Sequence, residues 1–342
     1  MNLLILGKKG EAIQNDLEGK LDDSWTIYNW NPGENEEKLS NLLNKADVAI
    51  TGSDALIYGG IFKFLSLAKN LKLLQIPFAG VDWLDPNLLP KKLMVANASG
   101  HEIAISEYII GTIIALSLDL LATNKDFKSG SWDRTGTLSD PKSMHNEVYG
   151  KTIGIIGYGQ IGIETALRAK SLGMKTYGLN RTKKKIKPKE LDWHGSSDKL
   201  NTILKESDFL ILACDLNEST KNLINKETLS LMKESSYIIN VARGDVCEEE
   251  DLYNFLKNKR IAGAALDTWW IYPDRPKEGQ KSEREPNPSD FPFHKLDNVI
   301  MTPHNSAHTM ESDIRRSKSI LNNLIDFKKG KKPSGFVFYG NK

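Results

Sequence analysis

The 342-residue chain is short of cysteine, of net charge and of long apolar runs, and each shortage closes off a class of protein. Its two cysteines, Cys214 and Cys247, stand apart without CxxC or Cys/His spacing. That excludes a disulfide framework and gives no reason to expect a metal site; it fits a reducing compartment, so a cytoplasmic location is expected. Lys and Arg number 46 against 44 Asp and Glu, a formal charge of +2, so no global field recruits nucleic acid or an anionic membrane. Any anion site has to be local. The longest uncharged apolar stretch in the helix-like region, residues 108–118, is 11 residues long. A bilayer span needs about 18–20, so a soluble protein is expected. The apolar start at residues 1–7 is too short for a signal sequence and runs into Lys8-Lys9, so it reads as a first strand.

What is present is alternation. Short aliphatic or β-branched runs alternate with longer amphipathic stretches, the pattern of parallel strands joined by helical crossovers, which makes the class α/β. Residues 3–6, 25–28, 48–51 and 73–76 read as strands of one small open sheet. A second series at 152–156, 176–179, 209–213, 237–241, 262–266 and 299–302 is long enough for a complete doubly wound sheet. Between them, residues 101–121 read as about six turns of apolar helix, a candidate connector, followed by a polar loop. Residues 312–328 read as a final helix whose apolar positions Ile314, Ile320, Leu321, Leu324, Ile325 and Phe327 are expected to pack back on the first sheet. The charged, Pro- and Gly-rich stretch 273–288 reads as a surface loop.

One motif sits in a telling context. Gly157-Tyr158-Gly159-Gln160-Ile161-Gly162 directly follows the apolar strand 152–156 and directly precedes a helix-forming run. Gly157 suits a tight turn, Gly159 a close backbone approach to a pyrophosphate, and Gly162 tight helix–strand packing. A Gly-rich turn without a ligand is the bland alternative. The next strand ends near Asn180, 18 residues past Gly162, where NAD-binding proteins carry an Asp or Glu for the ribose hydroxyls. Asn180-Arg181-Thr182 followed by Lys183-Lys184-Lys185 removes that negative charge and offers cations and a hydroxyl. NADP is therefore favoured over NAD.

Hydride transfer to a carbonyl needs a proton donor and a cation to hold the substrate. Both types stand at strand ends of the second series, in Asn240-Val241-Ala242-Arg243-Gly244 and Thr302-Pro303-His304-Asn305-Ser306. Arg presents a bidentate fork for a carboxylate, and His titrates near neutral pH. The other histidines, His101, His145, His194, His294 and His308, read as surface or packing residues.

With these motifs, together with residues 263–267, Phe78-Ala79-Gly80-Val81-Asp82 and Ser106-Glu107, the chain resembles the D-isomer-specific 2-hydroxyacid dehydrogenases over most of its length. The resemblance implies a Rossmann cofactor domain with a smaller, discontinuous, flavodoxin-like substrate domain, at about 99–307 and at 1–98 plus 308–342. It implies that Arg243 holds the 2-oxo acid and His304 donates the proton. It also puts the amides of Ala79, Gly80 and Val81 at the substrate carboxylate, Val241 at the cofactor, and Asp267 near the nicotinamide amide. A homodimer is implied, with residues 119–147 as a candidate arm. Glyoxylate or hydroxypyruvate is the expected substrate type. A dinucleotide-dependent corepressor-like binding module and a formate-oxidising relative are the alternatives.

One departure stands out. The family carries a Glu five residues after the Asp, as partner of the His, and here Tyr272 occupies that place. Without an anionic neighbour, His304 is expected to lose its proton at lower pH. Glu283 or Glu285 could substitute, and Trp269, Trp270 and Tyr272 could form an aromatic wall or an oligomer contact; the sequence leaves these open.

Overall fold

The computed structural model describes residues 1–52, 55, 61–65, 68–134, 144–182, 187–272 and 288–342. Lys183, Lys184, Lys185, Glu283 and Glu285 lie outside the described residues. In chain order the strands are Asn2–Leu6 (β1), Thr26–Trp30 (β2), Val48–Thr51 (β3), Leu73–Gln75 (β4), Met94–Ala96 (β5), Thr152–Ile156 (β6), Lys175–Asn180 (β7), Trp193–Ser196 (β8), Phe209–Leu212 (β9), Tyr237–Asn240 (β10), Gly263–Leu266 (β11), Val299–Met301 (β12) and Phe336–Tyr339 (β13). The helices are Lys8–Leu17 (α1), Glu36–Lys45 (α2), Phe62–Leu65 (α3), Glu102–Ser117 (α4), Leu120–Lys128 (α5), Gln160–Ser171 (α6), Leu200–Glu206 (α7), Lys226–Leu229 (α8), Glu249–Lys257 (α9) and Met310–Lys328 (α10). The residues divide into two compact units, Met1–His101 with His308–Lys342, and Glu102–Ala307.

In the first unit six strands run in the order β13-β5-β4-β3-β1-β2. All neighbours are parallel except β13, which closes the edge antiparallel to β5. Both end strands of that half, β5 and β13, were absent from the sequence reading. α10 belongs to this unit and buries Ile320 and Leu324 among Leu3, Ile5 and Leu73. Ile314, expected in the same stripe, is instead exposed. Six residues from Ile320 is about a third of a turn off the buried face.

The second unit is a seven-stranded, fully parallel sheet, β12-β11-β10-β9-β6-β7-β8. Strand order reverses beside β6, the topological switch point of a doubly wound fold. β6 and β9 are buried at every residue, as parallel strands covered on both faces should be. The expected six-turn helix is broken in two. Asp119 adopts a left-handed conformation (φ 47°) between α4 and α5, and the two axes meet at 58°. Among the described residues no single helix is long and apolar enough to cross a membrane.

Registration across this sheet is what positions the site. Ile156 pairs with Leu212, Leu212 with Asn240, Asn240 with Leu266, and Leu266 with Met301. The chain therefore leaves five neighbouring strands, at Gly157, Ala213, Val241, Asp267 and Thr302, along one row at the carboxyl edge.

Candidate active site

The glycine turn divides its labour unequally. Gly157 has φ 91°, and a Cβ there would lie 2.5 Å from Cys214 Cα, so neither the dihedral nor the space admits a side chain. Gly162 is snug, with a Cβ falling 3.0 Å from Tyr158 Cδ2 and 3.2 Å from Ile155 Cγ2. Gly159 is different: its backbone is ordinary extended chain (φ −99°), and a Cβ would meet nothing within 4 Å. Gly159 also caps α6 without a side-chain hydrogen bond, no acid occupies the first turn, and Gln160 beside it is exposed. A turn that packs against protein at 157 and 162 but keeps open space at 159, before a twelve-residue helix, fits a dinucleotide pyrophosphate.

At the end of β7 the Asn180 side chain is already engaged. Its Nδ2 donates to the Tyr158 carbonyl at 3.2 Å, and its Oδ1 lies 2.8 Å from Nε2 of buried His194 on β8. His194 is a packing residue, buried, and it also holds Asn180. Arg181 and Thr182 follow, both exposed. The Asn180 amide thus braces the glycine turn, and the exposed groups beyond it are those that can meet a ribose or a 2′-phosphate.

The reacting end is built from three turns. Asn240, fully buried, folds the first: its Nδ2 donates to the Arg243 carbonyl at 2.9 Å and its Oδ1 accepts from Ala242 N at 3.0 Å. Val241 is buried beneath it, and Arg243 Nη1 donates to the Ala242 carbonyl at 2.7 Å. Gly244 lets this turn press against the next one, since a Cβ there would fall 2.5 Å from Trp269 O and 2.7 Å from Trp270 N.

Asp267, fully buried after β11, ties down the third turn. Its Oδ1 accepts from Thr302 Oγ1 at 2.6 Å and Asn305 N at 2.9 Å, and its Oδ2 from Ser306 N at 3.1 Å. Tyr108 of α4 reaches the same Thr302 hydroxyl at 2.8 Å. Burial, with the Asp267 charge adding to it, pushes the Tyr108 phenol up to about 12. It stays protonated, and because Thr302 gives its proton to Asp267, Tyr108 donates to Thr302. His304 sits inside this pinned turn in a left-handed conformation, φ 56°. Its Nδ1 lies 2.9 Å from the Tyr272 hydroxyl, which also accepts from Trp269 N at 3.3 Å.

Trp269 and Trp270 are fixed by packing and hydrogen bonds. Both pack on Phe293, with Nε1 groups bonded to the carbonyls of Thr302 and Cys247. Arg243, Asp267, Tyr272, His304 and the glycine turn all belong to the unit 102–307.

Ala79, Gly80 and Val81 belong to the other unit, in the loop after β4. Their three carbonyls accept hydrogen bonds from Asn97 Nδ2, Trp83 Nε1 and Leu84 N. Their three amides have no hydrogen-bond partner among the described residues. Successive N–H groups left over in this way make an anion-binding concavity. Sequence reasoning missed Tyr108, His194 and Asn240 as site-building residues; only the placement of a polar group in an apolar run signalled them.

Comparison with known proteins places this arrangement in a class. The family model described as "D-isomer specific 2-hydroxyacid dehydrogenase, NAD binding domain" matches residues 110–306, and the chain belongs to that family. A glyoxylate reductase of Pyrococcus furiosus is 37% identical over 331 residues, 95% of this chain and 93% of that protein. A glyoxylate reductase of Thermofilum pendens is 31% identical over 313 residues, 90% of this chain and 85% of that one. Among solved structures, an acyclic imino acid reductase (Bsp5) in complex with NADPH and D-Arg superposes with a TM-score of 0.77 at 25% identity, covering 99% of this chain and 100% of that one. The chain is thus an NAD(P)-dependent oxidoreductase acting on 2-oxo acids.

Proposed function

We propose that the protein is an NADP(H)-favouring reductase of a small 2-oxo acid of the glyoxylate or hydroxypyruvate type. In this reading 102–307 is the cofactor domain and 1–101 with 308–342 the substrate domain. When bound, the reduced nicotinamide supplies the hydride that adds to the carbonyl carbon. Arg243 grips the substrate carboxylate and carbonyl oxygen, which draws electron density off the carbon under attack. The protonated His304 imidazole gives its proton to the carbonyl oxygen as negative charge builds there, leaving a 2-hydroxy acid and a neutral imidazole. Within the other unit, the amides of Ala79, Gly80 and Val81 suit an anionic group such as a carboxylate. Asp267 keeps one of roughly four acceptor sites for the nicotinamide amide. The observation that carries the proposal is the register row, which launches the glycine turn, the Arg243 turn and the His304 turn from one edge of one sheet.

NADP is favoured because Asn180 puts no carboxylate beside the ribose, while Arg181 and Thr182 are exposed next to it. A homodimer is supported by the family and by exposed Leu120, Leu121, Phe127 and Trp132 on and after α5. A cytoplasmic setting fits the two free thiols. The experiment is to mix the purified chain with NADPH or NADH and a panel of 2-oxo acids, each with and without an amine because Bsp5 reduces imino acids, and to follow the absorbance of the reduced cofactor. Turnover with glyoxylate or hydroxypyruvate, faster with NADPH, is expected. No turnover with any acid would point to a dinucleotide-binding role without chemistry.

A further inference from the structure

The family's His works beside a carboxylate, and this chain has no carboxylate at that position. What it has is Tyr272, whose hydroxyl oxygen lies 2.9 Å from His304 Nδ1, with the two ring centroids 5.6 Å apart and tilted by 53°. We infer that Tyr272 is the positioning residue that fixes the tautomer of His304, so that proton transfer in this site is run by a phenol–imidazole pair. The inference rests on the reading of His304 as the acid given above.

The hydrogen-bond arithmetic gives the direction. The Tyr272 oxygen accepts from the Trp269 amide, and when His304 is protonated for proton transfer both ring nitrogens are donors, so Nδ1–H donates to the remaining lone pair of that oxygen. Trp269 is itself immobilised, with its indole Nε1 bonded to the Thr302 carbonyl two residues before His304. The imidazole is therefore held twice: its backbone through the Asn305 and Ser306 amides on Asp267, its ring through Nδ1 on Tyr272. With the proton kept on Nδ1, the nitrogen that exchanges a proton with the substrate is Nε2. A carboxylate partner would do the same and add a negative charge that favours the imidazolium; a phenol is neutral below about pH 10 and does not.

Among the described residues of this unit, the charged and titratable groups at the neighbouring turns include Asp267 after β11, Arg243 after β10 and Tyr108 from α4. They are common to the wild type and to every variant at 272, so a difference between those proteins reports the partner alone.

The test uses the full chain with [13C,15N]-histidine label, His304 being assigned by its loss in H304N. In the wild type, neutral His304 is expected as the Nδ1–H tautomer. Tyr272→Phe removes one oxygen from a side chain that is 44% exposed, so folding is not at stake. It should abolish the tautomer preference and lower kcat roughly threefold to tenfold, the worth of one hydrogen bond, with KM for the 2-oxo acid little changed. Tyr272→Glu should raise the titration midpoint of His304 by about one to two units, with the alkaline limb of kcat/KM following it. Tyr272→Gln should restore much of the kcat lost in Tyr272→Phe without moving that limb. An unchanged tautomer in Tyr272→Phe, or an unmoved midpoint in Tyr272→Glu, would overturn the inference. A protein inert toward every 2-oxo acid would sink the proposed function and leave the spectroscopic titration to decide this one.

Discussion

Two glycines two residues apart in the same turn should answer oppositely to the same substitution. Gly157→Ala places a Cβ 2.5 Å from Cys214 Cα on a residue with φ 91°. Forcing an L-residue toward a left-handed conformation costs about 1–2 kcal/mol, and overpacking adds about 1–3 kcal/mol. A loss of about 3 kcal/mol in a domain of this size lowers Tm by roughly 6–12 °C, at ~2–4 °C per kcal/mol. Gly159→Ala costs nothing of this kind, because its φ of −99° suits any residue and its Cβ meets no protein atom. Its Tm should stay within what about 0.5 kcal/mol allows. The empty space is the point: the methyl enters the volume assigned to the pyrophosphate. NADPH affinity should then fall at least about tenfold, or ~1.4 kcal/mol. A thermal melt and a fluorescence titration with NADPH read the two effects separately, with no dependence on turnover. A Gly159→Ala protein that melts normally and still binds NADPH like the wild type would refute the cradle. A Gly157→Ala protein that melts normally would refute the packing argument.

Asp267→Asn keeps the shape but offers an NH2 group where a carboxylate oxygen accepted from a backbone amide, setting donor against donor in a fully buried site. A loss of about 1–3 kcal/mol and a fall in kcat of roughly a hundredfold are expected, seen by melting and steady-state kinetics; a lowered Tm with wild-type kcat would show that the pinned turn is not what places His304. Stability should also fall as pH rises above 9. Burial pushes the Cys214 thiol from 9.0 up to about 11 and the Tyr108 phenol from 10.0 up to about 12. Above each ordinary value the unfolded chain has released a proton the folded one retains, so unfolding gains at most about 1.4 kcal/mol per pH unit per group until the folded value is passed. The denaturant midpoint should drop between pH 9 and 11, and Cys214→Ser should flatten the first part of that slope; a flat profile in the wild type would count against both burials.

The strands that sequence made visible are those whose signal is local. β6 and β9 are short unbroken apolar runs buried on both faces, and nothing else in an α/β chain looks like them. β8 is Trp193-His194-Gly195-Ser196, held as an edge by pairing with β7, and its residues carry no apolar period. β13 exists because α10 returns the chain to a sheet edge left open by β5. Neither can be read without knowing its neighbour. The break at Asp119 is similar: a single left-handed residue ends α4 where the apolar pattern continues into Leu120 and Leu121. Those two side chains are exposed, so the pattern there records a surface and not a core.

The site divides along the same line. Gly157, Arg243 and His304 stand out in the sequence by residue type, and the structure places all three in turns at one sheet edge. The groups that hold them do not stand out, because they act through pairings between distant strands. Asp267 illustrates the difference. The resemblance implies a carboxylate near the nicotinamide amide, and the structure adds three hydrogen bonds from that carboxylate to the turn carrying His304, which the sequence did not show. Tyr272 illustrates it in reverse, since a missing Glu reads from sequence as a broken pair. The chain reaches Tyr272 from Trp269, whose amide and indole are both fastened, and this brings a hydroxyl to the atom that the carboxylate would have met. A position can thus keep its geometric duty while changing its charge, and the pH range over which His304 holds its proton is the property that such a change selects.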